Sequence, residues 1–255
     1  MVVSVLSSGM TTAPILPASR DPHRFAIRAV NICSVMMNRT NYEELPDYRR
    51  SVSEMYARTR DDTLDPAVRC ERFRQERAEL FRHHPQSPLP DEAMAQSGGP
   101  RYYDYDPALR YALPVDYDVE SDVTEVHLQE DGLMRLVRFG KVRFSLHGAE
   151  HSLSLFWVSG YGGGVLLPFR DATAGKETYG GGRYVLDTIK HADLGSEDGC
   201  LVVDFNFSYN PSCAYDPRWY CPLAPAENHL PVEIRGGEKS YPSGDEICVA
   251  RGTVP

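Results

Sequence analysis

The side chains best suited to chemistry gather in two stretches, 168–184 and 204–228. The second reads DFNFSYNPSCAYDPRWYCPLAPAEN, from Asp204 to Asn228. It mixes carboxylates, amides, phenols and two thiols with four prolines. Asp204 and Glu227 are its candidate acid/base carboxyls, with Tyr215 as a third candidate catalytic group. Asp204, Asn206 and Ser208 alternate with Phe205, Phe207 and Tyr209. On a strand that spacing gives one polar face, which lines a cavity or simply meets solvent. Asn206 could equally build an Asx turn. Glu227 and Asn228 follow a proline-rich bend, where a carboxylate and an amide could orient a substrate. The alternative is that Glu227 pairs with Arg218 or Arg235 and Asn228 caps the turn.

The first stretch, PFRDATAGKETYGGGRY, sets Arg170, Asp171, Lys176, Tyr179 and Arg183 among glycines. Glycine lets backbone amides approach a ligand closely. Two arginines and a lysine suit a carboxylate or phosphate, the arginines in bidentate fashion. With Asn206 and Asn228 they form the candidate ligand-binding set. The order of residues is not that of a phosphate-binding P-loop, and no helix is expected after it. A glycine-rich hairpin whose charges pair internally, Asp171 with Arg183 for instance, is the competing reading.

Cys213, Cys221 and His229 follow at intervals of eight. They could ligate zinc, with Asp204 or Glu227 as a fourth ligand, but the spacing is not a standard one. A buried thiol pair ranks first, a disulfide second and a metal site third. No cofactor is predicted, zinc being the minority alternative. A nucleophilic cysteine would need a base, for which His229 and His191 are candidates.

These loops need a scaffold. Residues 1–40 lack periodicity and read as a flexible leader or a start assigned too early, Met36-Met37 being an alternative start. Residues 41–100 read as helical. Leu45, Tyr48, Val52, Met55 and Tyr56 fall at helical spacing, with Pro46 in the first turn. Asp65-Pro66 caps a second helix whose apolar stripe is Phe73, Leu80 and Phe81, ended by Pro85. Residues 101–255 read as an antiparallel β domain. Short alternating segments are broken at Asp131-Gly132, Gly140 and Gly148. Val142, Phe144 and Leu146 share a face, matched by Leu153, Leu155 and Trp157. PVEIR is the last expected strand, and His147 and His151 are expected at the surface. The expected fold is mainly β, an antiparallel barrel or sandwich preceded by two helices.

Composition bounds the partners. The net charge of −9 disfavours nucleic acid. No run of about 18 apolar residues is present, so no membrane span is expected. Six cysteines without a signal peptide point to free thiols in a reducing cytoplasm.

FRQERAELFRHHPQSPLP, YDYDPALRY, PFRDATAGKETYGGGRYVLD and DFNFSYNPSCAYDPRWYCPLAPAENHLPVEIRGGEK together resemble the uncharacterised bacterial and archaeal family called domain of unknown function 1684. The resemblance runs from Tyr48 to Lys239 and implies that residues 1–37 lie outside the shared domain. It implies no activity, cofactor or catalytic residue. Function therefore rests on the residues: a small-molecule enzyme of hydrolytic or acid/base type acting on an anionic ligand, a non-catalytic ligand-binding module, or a structural role for the Cys/Pro loop.

Overall fold

The computed structural model describes residues 39–60, 63–89, 99–128 and 132–241. Residues 1–38, the whole 90–98 connection and Asp131 lie outside them.

Two helices lead. The first, α1, spans Arg39–Thr59, and α2 spans Pro66–His83. Asp65 caps α2 as its sequence indicates, accepting from the N–H groups of Ala67 and Val68, with Pro66 at the first position. The buried stripe of α2 is Cys70, Phe73, Arg77 and Phe81, so a guanidinium occupies a position where the pattern calls for an apolar residue. Pro46 lies inside α1, not in its first turn. The helix continues upstream of it and forgoes the one backbone bond that proline cannot donate.

Two antiparallel sheets follow. The larger is a meander of β2 (Val123–His127), β3 (Leu133–Leu146), β4 (Ala149–Ser159), β5 (Gly164–Phe169) and β6 (Arg183–Asp187) in chain order. The smaller has β8 (Cys200–Asp204) between β1 (Arg110–Leu113) and β7 (Ser196–Glu197). Both are open, so the expected barrel does not close; the fold is mainly β, with two helices before it.

The alternation of side chains shows how the layers stack. Val202, Leu166 and Tyr184 join a cluster with Met55, Tyr56 and Phe73 of the helices. Their neighbours Val203, Leu167 and Val185 join a second cluster that contains no helical residue. Each sheet thus turns one face to the helices and the other to the core between the sheets. Phe205 sits at the centre of that inner core, within ring-contact distance of Phe144, Phe169 and Tyr111.

Three local expectations change. Gly140 is a bulge within one long strand rather than a turn: pairing slips between Arg138 and Gly140. A Cβ there would come within 2.8 Å of Val115. Trp157 is 44% exposed, while Phe156 and Val158 are buried in its place. At that end of β4 the helices cover the opposite row, so burial crosses to the other face. Val142, Phe144, Leu146, Leu153 and Leu155 are buried as their spacing indicates. His147 and Gly148, both at positive φ, make the two-residue β3–β4 turn. His147 is exposed, and His151 is half-buried with its ring 5.7 Å from Phe144. Finally, PVEIR forms no strand. Pro231 has no N–H to offer a ladder, and the carbonyl of Ile234 is taken by the Arg183 guanidinium at 2.9 Å.

Candidate functional site

Asp204 ends β8 where the chain tightens into a single 3-10 turn, Phe205–Phe207. The expected polar row on one strand face is therefore absent. Every residue from 202 to 211 is buried, on both sides. One Asp204 oxygen accepts from the Asn206 backbone N–H at 2.9 Å and from its side-chain amide at 2.8 Å. Asn206 also bonds the backbone of Asp106 in both directions, so it acts as a brace between segments. Asp204 is 3% exposed. Burial pushes its carboxyl up to about 6, against the lowering effect of the Asn206 bonds and of the Arg110 and Arg69 charges.

The carboxyl borders a cleft where α1, α2 and the smaller sheet meet. Arg60 stands just beyond α1, Arg69 in the first turn of α2, Arg110 on β1 and Glu197 on β7. Arg60 donates to the carbonyl of Asp193, Arg69 to that of Thr59 at 3.3 Å, and Arg110 pairs with Glu197. Three guanidiniums thus face two carboxyls, one of which readily holds a proton, and the cleft is cationic on an acidic protein. Its room for the centres of water-sized spheres is about 30 Å³. One water needs roughly 10–15 Å³ by that measure, so the cleft is small.

The other residues singled out by sequence lie elsewhere. Arg183 and Asp171 form a fully buried pair at 3.1 Å. Arg183 also donates to the carbonyls of Ile234, Gly236 and Glu238, and Asp171 accepts from Ile234 N–H at 2.8 Å and Thr173 Oγ at 2.7 Å. The pair ties segment 234–238 to β6. Arg170 and Lys176 are exposed, and neither they nor Arg183 line the Asp204 cleft.

Asn228 is completely buried and bonds both backbone groups of Ser154 and the carbonyl of Pro168. Glu227 accepts from Ser154 Oγ and pairs with Arg138 at 2.9 Å, not with Arg218 or Arg235. Tyr215 is buried and donates to Glu238; burial and that carboxylate push its phenol well above the usual value, so it stays protonated at neutral pH. Glu238, which the sequence reading passed over, is wholly buried. It accepts from Arg77 at 2.6 Å, Tyr102 at 3.2 Å and Asn210 N–H at 2.7 Å as well.

Cys213 and Cys221 are both thiols, packed with Tyr179 and Trp219. Tyr179 is buried, its hydroxyl 3.6 Å from Cys213 Sγ. His229 is exposed, its ring nitrogen 3.1 Å from the carbonyl of Ala224. Among the described residues no three His, Cys, Asp or Glu side chains converge as metal ligands.

The cleft brings Asp204, which the sequence singles out, together with Arg60, Arg69, Arg110 and Glu197, which sequence reasoning passed over. One signal was available. An arginine in the first turn of α2 opposes the helix dipole, so helix stability does not explain it.

The fold and this cleft define a mainly β protein whose helical cover contributes arginines to a small, cationic, carboxyl-bearing recess. Residues 98–239, more than half of the chain, match the family described as protein of unknown function (DUF1684), and the protein belongs to that family. It is similar to an uncharacterized protein of Haloarcula marismortui with a solution NMR structure. The two are 30% identical with a TM-score of 0.51, over 69% of this chain and 95% of that one. No curated protein matches.

Proposed function

We propose that the protein binds a small oxyanion, a carboxylate or phosphate class of ligand, in the cleft at Asp204, and that Asp204 exchanges a proton with it. One observation carries this reading. A buried carboxyl raised to about 6 shares a recess with Arg60, Arg69 and Arg110. The guanidiniums supply bidentate donors, and the carboxyl supplies a proton in the pH range where a hydrolytic or acid/base step runs. The ligand set differs from loop 168–184: Arg183 is engaged internally. The net charge of −9 supports a small-molecule partner over nucleic acid. No helix among the described residues is long and apolar enough to cross a membrane, which fits a cytoplasmic role.

The test is thermal unfolding against sulfate, phosphate and acetate. Sulfate keeps its charge across the range, so any pH dependence belongs to the protein. The groups facing Asp204 are Arg60, Arg69, Arg110, Glu197, Tyr105 and Cys70; of these, Arg110 approaches from β1 and is the variant of choice. The expected result is stabilisation by at least one anion that weakens in Arg110→Gln and strengthens severalfold from pH 7 to pH 5. No stabilisation by any of the three, or equal stabilisation of the variant, rejects the reading. Turnover of a phosphate or carboxylate ester would then separate the enzyme from the non-catalytic binder.

A further inference from the structure

The thiols of Cys213 and Cys221 pack with Tyr179 and Trp219, and neither lines the anion cleft. Cys221 is half-buried and Cys213 is fully buried. Cys221 packs against the cluster that holds Cys213, with the Cys213 thiol and the backbone N–H groups of Ser212 and Cys213 as the donors beside its sulfur. Three donors around one sulfur stabilise a thiolate as they would any anion. Lys190 adds a positive charge facing both cysteines. Tyr184 also faces them, its phenol held well above the usual value by burial and so neutral; the Tyr179 hydroxyl lies 3.6 Å from Cys213 Sγ.

We infer that Cys221 and Cys213 form a reversible dithiol–disulfide site that reacts with hydroperoxides, Cys221 attacking and Cys213 resolving. In the first step the Cys221 thiolate attacks the peroxide. An S–O bond forms, the O–O bond breaks, and the alkoxide or hydroxide leaves and takes a proton from water. In the second, the Cys213 thiol attacks the sulfenic acid at Cys221. The S–S bond forms, the S–O bond breaks, and hydroxide leaves with the thiol proton as water. Two electrons pass from the thiol pair to the peroxide, and a small dithiol restores the reduced pair. Both cysteines belong to one small packed cluster, so the two thiols are neighbours before any oxidation. The Cys221 thiol is lowered to about 6, by the Cys213 bond first and the Lys190 charge after it, against burial.

The full chain is treated with equimolar hydrogen peroxide, and its peptides are mapped with and without dithiothreitol. The expected product is one intramolecular Cys213–Cys221 link, two hydrogens lighter and fully reversible, with Cys200 unchanged. In Cys213→Ser the expected product is a sulfenic acid at Cys221, trapped by dimedone. Should that variant fail to fold, iodoacetamide labelling of the native chain at pH 6 decides. A thiol near 6 has roughly a hundredfold more thiolate there than an unperturbed one. The lower nucleophilicity of an acidic thiol returns about a tenfold loss, leaving labelling about tenfold faster than for Cys221 in unfolded protein. Absence of the link in the native chain, equal oxidation of Cys200, or labelling no faster than in unfolded protein overturns the inference.

Discussion

At the scale of single residues, the proton on Asp204 ties the cleft to stability. Its folded value of about 6 lies above the ordinary 3.8. The folded state therefore holds this proton more tightly than the unfolded chain. The associated stability is complete below about pH 4 and is lost as pH rises through 6, a difference of about 3 kcal/mol. Asp204→Asn keeps an oxygen to accept both Asn206 bonds and removes the titration. Urea unfolding from pH 4 to 7 should show the variant gaining on the native protein as pH rises; parallel profiles would contradict this. Arg183 behaves in the opposite way. Its guanidinium is buried against Asp171 and three carbonyls. Arg183→Met leaves the Asp171 charge buried and uncompensated, and should cost about 3–5 kcal/mol in the same measurement. The internal Asp171–Arg183 pairing was legible in the sequence as one of two readings. The four cleft residues were not, because they come from segments far apart in the chain that only the fold brings together.

Among elements, the start of α2 and the β3–β4 turn follow their local signals, and the departures in the sheets have tertiary causes. Asp65 caps α2 through Ala67 and Val68. Asp65→Ala should cost about 1 kcal/mol, read as a lower urea midpoint with unchanged slope. The bulge at Gly140 and the exposed Trp157 were hidden because a period-two pattern does not reveal where a strand slips, nor which face a helix will cover. The segment after Asn228 has strand composition, yet its backbone groups go to Arg183, Asp171 and the 170–172 backbone instead of to a ladder. Such long-range pairing has no local signature.

Across the whole molecule, a buried ion pair ties the helices to the chain that follows the β layers. Arg77 of α2 reaches Glu238 near the end of the described chain, and its guanidinium stacks on Phe81 and Tyr209 at 4.4 and 5.0 Å. Glu238 also gathers Tyr102, Asn210 and Tyr215. Glu238→Gln leaves Arg77 without its counter-charge and should lower stability by about 3–5 kcal/mol while helix and aromatic signals still unfold together. Separate transitions, helices before sheets, would show instead that the helical cover is an independent unit. The two-helix, mainly β class was readable from periodicity. Whether the sheets closed was not, since closure depends on strand pairing between β6 and β8 and between β1 and β3, which alternation alone does not encode.

The central claim rests on one proton and the cleft it borders. A carboxyl-carbon NMR titration of Asp204, with and without sulfate, reads it directly. The account predicts a midpoint near 6 that moves upward when sulfate binds beside it. A midpoint at or below 4, unmoved by sulfate, would contradict it.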